Sequence, residues 1–414
     1  MAEIEAHKAL EWDGKVPRPF EIAVAQAEID DLRKRLVNTR WPDEAPGAPW
    51  RFGTGLEYLR SLAGYWQAGY DWRKHEAFLN SFSHFKASIG GTDIHFIHEA
   101  GEGQAPFPIL LTHGWPGSFY EYHKLIPLLT HPSASGGNPD DAFTVVVPSL
   151  PGHGFSFTPG QTRFSLQEIA DVLACLMTQV LGYRRFAAHG HDWGAFVSTR
   201  LGWAHAASLV GIHVNLLAIP RTPSSGATLS ADEQRFEQQL AHWLKEETGY
   251  SAIMGTKPQT LAYALSDSPV GLAAWIVEKF RTWSDCDGDV DRYFGRDVLL
   301  TNIMLYWLTG TINASFWPYY ARLHGPWIVP PGEKVMVPTG YAEHPREILT
   351  PPRSFAERMY GNIQRWTCMP RGGHFAALEA PEALAEELRA FFRPLRTPGA
   401  GRSIQACDVC CAAC

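Results

Sequence analysis

The chain has 414 residues, 45% of them hydrophobic and 19% charged, with a formal net charge of −7. That composition describes a globular chain long enough for a large core plus an inserted module. The acidic balance and the lack of a basic run argue against a nucleic-acid surface. No apolar run reaches the roughly 18 residues of a membrane span. Met1-Ala2-Glu3-Ile4-Glu5 is acidic and has no apolar run behind it, so a secretory signal is not expected and a cytoplasmic location is the default.

Residues 20–85 read as helical and aromatic-rich, with breaks at Trp41-Pro42 and around Pro46 to Pro49. Phe85 to Ile89, a Gly90-Gly91-Thr92 turn and Asp93 to His98 predict a β-hairpin. Strands and helices then alternate. Phe107 to Leu111 predicts a strand, Ser118 to Leu129 a helix, Phe143 to Val147 a strand and Ser165 to Leu181 an amphipathic helix. Arg185 to Ala188 predicts a buried strand, Ala195 onward a helix, and Leu209 to Val214 another strand. This alternation indicates βαβ units and a mainly parallel sheet. From 217 to about 325 it gives way to Trp- and Tyr-rich helical patterns, as a lid inserted in an α/β core would. It resumes at Lys334 to Gly340, continues through Ile363 to Thr367, and ends in a helix over Pro381 to Phe392. Cys407, Cys410, Cys411 and Cys414 crowd the last eight residues. Their abutting pairs lack the intervening ribbon of a zinc site, and a flexible or incidental tail is expected there.

The chemistry centres on Gly190-His191-Asp192-Trp193-Gly194. Its glycine spacing is that of a nucleophile elbow, a strand-to-helix turn too tight for Cβ atoms at the glycine positions. The bland alternative is a strand–helix turn with an aspartate N-cap. At an elbow, aspartate in place of serine suits attack on an electrophilic sp³ carbon, leaving an alkyl ester on the enzyme. Three further features follow predicted strands, where open α/β sheets place their sites. His113-Gly114-Trp115-Pro116-Gly117-Ser118 could supply an oxyanion hole from the Trp115 amide, together with the amide of Trp193 after the nucleophile. His374, in Gly372-Gly373-His374-Phe375, stands where the chain order of such hydrolases puts the base. Glu343 and Glu347, both expected in a loop, are candidates for the acid, and spacing alone does not choose between them.

Together these motifs resemble the α/β-hydrolase-fold epoxide hydrolases, in particular the microsomal type. The resemblance runs over about residues 15–395 and includes Arg40-Trp41-Pro42, Tyr306-Trp307-Leu308-Thr309-Gly310-Thr311-Ile312 and Arg371 to Ala377. It implies an α/β-hydrolase fold: a mostly parallel central sheet, a helical lid insert and an N-terminal helical segment wrapping the core. The expected division is a wrapping segment over 1–85, a core over 86–216 and 326–395, a lid over 217–325 and a Cys-rich tail over 396–414. Residue by residue, it puts the nucleophile on Asp192 and the base on His374. The Tyr341-Ala342-Glu343-His344-Pro345-Arg346-Glu347 segment then puts the acid on Glu347 and leaves Glu343 a loop residue; His344 departs from the Phe often found before that Pro. It also implies two lid tyrosines that protonate the epoxide oxygen, at Tyr250 and at Tyr319, with Tyr320 adjacent to the second.

The reaction so implied turns an epoxide into a vicinal diol. Phenols, protonated at neutral pH, suit donation to a developing alkoxide. Water activated by His374 then hydrolyses the ester. No metal or organic cofactor is expected. The expected partners are a small apolar or aryl epoxide and water, with no nucleic acid and no membrane anchor; a homodimer is left open. A haloalkane or haloacid dehalogenase would use the same Asp–His–acid set and is the alternative. A catalytically silent binding protein of the same fold is the reading from another class.

Overall fold

The computed structural model of the protein describes residues 12–220 and 229–396. The N-terminal Met1 to Glu5 and the terminal cysteine cluster lie outside the described residues.

Nine strands form one sheet: β1 (Arg18–Pro19), β2 (His84–Ile89), β3 (Thr92–Glu99), β4 (Phe107–Thr112), β5 (Phe143–Pro148), β6 (Phe186–Gly190), β7 (Leu209–Val214), β8 (Thr339–Glu343) and β9 (Ile363–Cys368). Their spatial order is β1-β2-β3-β5-β4-β6-β7-β8-β9. The first three strands pair antiparallel, as does β3 with β5. Every pairing from β5 through β4 to β9 is parallel. The central strands are short apolar runs buried on both faces, such as Phe143–Pro148 and Leu209–Val214, as expected where helices cover both sides of a parallel sheet. The β2–β3 hairpin turns on Gly90 and Gly91, both at positive φ, the geometry of a tight hairpin connection.

Several predicted elements differ in their bounds. The helix expected over 118–129 is two pieces, a 3₁₀ turn at Phe119–Tyr122 and a helix at Leu125–Thr130. Pro127 has no N–H to give to residue 123, so a continuous helix would break there. The helix expected over 165–181 starts in a Ser165–Glu168 capping box but changes to a π turn at Leu176–Val180. The strand expected at Val335 to Val337 is a single bridge between Val335 and Tyr360. The ladder begins only after Pro338, whose carbonyl accepts from Ile212 N. As a result Glu343 ends β8 instead of lying in the following loop, and its carboxylate accepts from Trp366 Nε1 at 3.2 Å.

Between β7 and β8 the described residues of the insert are helical, from Ala231–Glu246 to Trp317–His324. The N-terminal helices are Gln26–Val37, Leu56–Ala68 and Trp72–Leu79, and the first two bond to this insert. Tyr58 and Tyr65 donate to Asp291 and Asp297 at 2.6 and 2.7 Å, and Arg35 pairs with Asp267 at 2.7 Å. The segment therefore straps the insert, while β1 extends the edge of the sheet.

Candidate active site

The loops after β4, β6, β8 and β9 carry Trp115, Asp192, Glu347 and His374. Parallel pairing of neighbouring strands brings these four loops to one edge of the sheet.

Asp192 sits at φ +48°, ψ −127°, a strained conformation for a residue with a Cβ. The helix Trp193–Ala204 starts directly behind it. Glycine is required on both sides of the bend: a Cβ on Gly190 would strike the Gly194 carbonyl, and one on Gly194 would strike the Thr112 carbonyl. A third glycine, Gly114, leaves the space that the Asp192 carboxylate fills. The turn is an elbow, and no side-chain capping bond from Asp192 is present.

The two carboxylate oxygens of Asp192 have different neighbours. Oδ1 accepts from Trp115 N at 2.8 Å, and the Trp193 amide, at the start of the following helix, also favours the charged carboxylate. Oδ2 faces His374 Nε2 at 3.3 Å. On the far side of the ring, His374 Nδ1 lies 2.6 Å from Glu347 Oε1. Glu347 Oε1 also accepts from Ile348 N at 2.7 Å. The imidazole is thus held between two buried carboxylates. Burial disfavours its cation, but Glu347 and Asp192 outweigh burial and push it up to about 10. Burial would likewise raise Asp192. The His374 hydrogen bond and charge, with the Trp115 and Trp193 amides, outweigh it and hold the carboxyl below its ordinary value.

The insert closes over this arrangement with aromatic rings. Tyr250, from the helix Gly249–Thr256, stacks on Trp115 with centroids 5.5 Å apart. Tyr319, from the helix Trp317–His324, stands edge-on to Trp193 at 4.6 Å and to Tyr250 at 5.6 Å. Burial pushes the Tyr319 phenol well above its ordinary value, and the neighbouring Tyr250 and Asp192 add to this. It is therefore protonated at neutral pH. Tyr320 instead stacks on Trp317 and His324 at 4.8 and 4.1 Å, so of the adjacent pair Tyr319 is the one at the elbow. All seven residues expected at the site, Asp192, His374, Glu347, Tyr250, Tyr319, Trp115 and Trp193, converge in space.

The sequence reading missed other parts. Trp283 packs against both His374, at 5.1 Å, and Tyr250, at 5.2 Å. Lys279 Nζ lies 4.7 Å from the Tyr250 ring and pairs with Glu278 at 2.5 Å. His191, next to the nucleophile, forms a buried pair with Glu121 at 2.6 Å. The Glu121 carboxylate occupies residue 117's side-chain space, which explains Gly117, but the sequence alone gives no signal of the pair. Among the described residues, no group of three or more His, Cys, Asp or Glu is placed to hold a metal ion. No described helix is long and apolar enough to cross a membrane.

Comparison with known proteins places the chain in a family. Residues 17–122 match the family described as the epoxide hydrolase N terminus, and residues 108–245 match the alpha/beta hydrolase fold. Epoxide hydrolase 1 of Oryctolagus cuniculus is 38% identical over 90% of this chain and 88% of its own. The epoxide hydrolase structure of Aspergillus niger is 31% identical, with a TM-score of 0.80 over 92% of this chain and 97% of that one. The juvenile hormone epoxide hydrolase of Bombyx mori aligns with a TM-score of 0.79 at 30% identity, covering 94% of this chain and 95% of its own. Neither these likenesses nor the site favours the dehalogenase alternative. The chain belongs to the epoxide hydrolases of the α/β-hydrolase fold, and it is a hydrolase of that family.

Proposed function

We propose that the enzyme opens a small apolar epoxide through a covalent ester on Asp192. The observation that carries this reading is the division of labour within one carboxylate. Oδ1 is held by the Trp115 amide at 2.8 Å, which leaves Oδ2 as the attacking atom. A carboxylate held below its ordinary value is ionised at neutral pH. Tyr250 and Tyr319, above the elbow on the insert, donate to the ring oxygen as the C–O bond breaks. The alkoxide leaves as a hydroxyl, and the enzyme carries a β-hydroxyalkyl ester.

In the second step water attacks the Asp192 carbonyl carbon. The Trp115 and Trp193 amides receive the charge that develops on the oxygen, and each such donor is worth about 10²–10³ in rate. His374 takes the proton from water, and Glu347 fixes the ring and stabilises the imidazolium. As the tetrahedral intermediate collapses, the ester C–O bond breaks and the imidazolium gives its proton to the departing diol oxygen; the proton left on Asp192 restores the donor phenol. Ester formation itself prepares the base. It converts Asp192 from an anion to a neutral group and so removes one of the two carboxylates that hold His374 protonated.

The described helices within 217–325 serve as the lid that brings the phenols, and the described part of the segment over 1–85 fastens that lid through Tyr58, Tyr65 and Arg35. The aromatic walls from Trp115, Trp193 and Trp283 suit an apolar or aryl substrate. The test is His374→Gln incubated with styrene oxide. Mass spectrometry of the digested protein is expected to find one epoxide mass on the peptide carrying Asp192. An unmodified Asp192 peptide in a folded variant would refute the ester.

A further inference from the structure

The loop bearing His374 is held in an unusual way. Residues 372–375 present four consecutive backbone N–H groups that find acceptors outside the named strands. Gly372 N donates to Asp285 Oδ2 at 3.0 Å. Gly373 N donates to Glu379 Oε2 at 2.9 Å. His374 N donates to the Trp283 carbonyl at 2.8 Å. Phe375 N donates to Glu379 Oε1 at 2.8 Å. Two of these acceptors belong to the insert, at Trp283 and Asp285, and the other two are the oxygens of one carboxylate. That carboxylate also accepts from Asp285 N at 2.8 Å. Glu379 therefore grips the amides on both sides of His374 and the adjoining segment of the insert.

The contact is close by design of the sequence. A Cβ on Gly373 would come within 2.6 Å of the Trp283 carbonyl, so glycine is what lets the insert lie against this loop. Trp283 in turn packs on the His374 ring at 5.1 Å. Arg346, one residue before Glu347, faces Asp285 at 3.6 Å and donates its amide to Gly372 O.

We infer that Glu379 is a positioning residue for the second chemical step, a clasp that fixes the His374 loop and the Trp283–Asp285 segment as one unit. This rests on His374 acting as the base. Glu379 touches neither Asp192 nor the phenols that serve the first step. Its loss should therefore slow hydrolysis of the ester and leave ester formation intact. The two oxygens that accept these three amides are not both replaced by glutamine, because the NH₂ of glutamine faces one of those N–H groups with no acceptor to offer.

The experiment is stopped-flow single turnover of Glu379→Gln with styrene oxide, following the fluorescence of the site tryptophans, beside steady-state kinetics. Ester hydrolysis is expected to slow by about 10-fold or more, with ester formation within about 2-fold. kcat and KM then fall together, and kcat/KM holds. A folded variant whose kcat is unchanged, or whose kcat/KM falls as far as kcat, would overturn the inference. His374→Gln in the same assay separates the two readings. If it hydrolyses the ester as fast as the wild type, the base assignment fails; if it accumulates ester while Glu379→Gln does not, only the clasp fails. Should Glu379→Gln not fold, hydrogen exchange on the wild-type enzyme decides. The Gly373, Phe375 and Asp285 amides are expected to share one opening, after correction for intrinsic rates. An Asp285 amide that opens more than about 10-fold faster than the other two would refute the coupling.

Discussion

Asp192→Asn gives the most informative perturbation, because asparagine imitates the charge state of the alkyl ester without the alkyl group. In the wild type, Asp192 Oδ2 stands 3.3 Å from His374 Nε2. At an effective dielectric of about 20, two unit charges at that separation attract by about 5 kcal/mol. Each tenfold change in protonation corresponds to about 1.4 kcal/mol, so this loss brings the imidazole from about 10 back toward the ordinary histidine range. Glu347 remains and keeps it from falling further. The assay is an NMR titration of ¹⁵N-histidine-labelled enzyme, following the Nδ1–H resonance of His374. The same pair predicts a stability effect whose sign is fixed by the direction of the shift. A histidine raised in the folded state stabilises fully below its unfolded value near 6.5, and that contribution is lost as pH rises through about 10. The wild-type Tm is therefore expected to fall more steeply than that of Asp192→Asn between these pH values. Titration of His374 at the same pH in both proteins would refute the claim that Asp192 controls the base.

The phenols and the elbow give sharper single readouts. Tyr250→Phe and Tyr319→Phe are each expected to slow ester formation by at least about 10-fold, and the double variant by about 10²–10⁴, with ester hydrolysis unchanged in rapid-quench experiments. Gly114→Ala places a methyl where the Asp192 carboxylate lies. It is expected to abolish alkylation and cost about 1–3 kcal/mol by overpacking, read from denaturant unfolding. A fully active Gly114→Ala would mean that the carboxylate can leave Trp115 N without consequence.

The parts of the site that could be read from sequence are those where local sterics restrict the residue type. The 190–194 elbow shows in its glycines because the bend admits no Cβ at either end. Trp115 shows because it follows a strand whose apolar pattern is clear, and His374 because it follows the last predicted strand, in the chain order such hydrolases use. The choice of Glu347 over Glu343 came from family resemblance; by spacing the two were equal. The structure separates them through where β8 begins: Pro338 delays the ladder to Thr339, so Glu343 falls inside the strand and Glu347 in the loop beyond it. Elements interrupted by one residue, such as the helix broken ahead of Pro127, were drawn too long. Interactions between distant segments left no pattern to read. Glu121 with His191 and Glu379 with Asp285 join residues far apart in the chain, and each carboxylate alone looks like any acid on a helix. The insert's aromatics were seen as a helical block, but periodicity could not tell Trp283, which faces His374, from a core tryptophan.

The covalent ester on Asp192 is tested most directly by a single turnover of excess enzyme with styrene oxide in H₂¹⁸O, with mass spectrometry of both the diol and the Asp192 peptide. The account predicts that the first diol carries no ¹⁸O, because its new oxygen comes from Oδ2, and that Asp192 gains the label when water opens the ester. Diol labelled in the first turnover, with Asp192 unlabelled, would mean that water attacks the epoxide directly and would contradict the nucleophile.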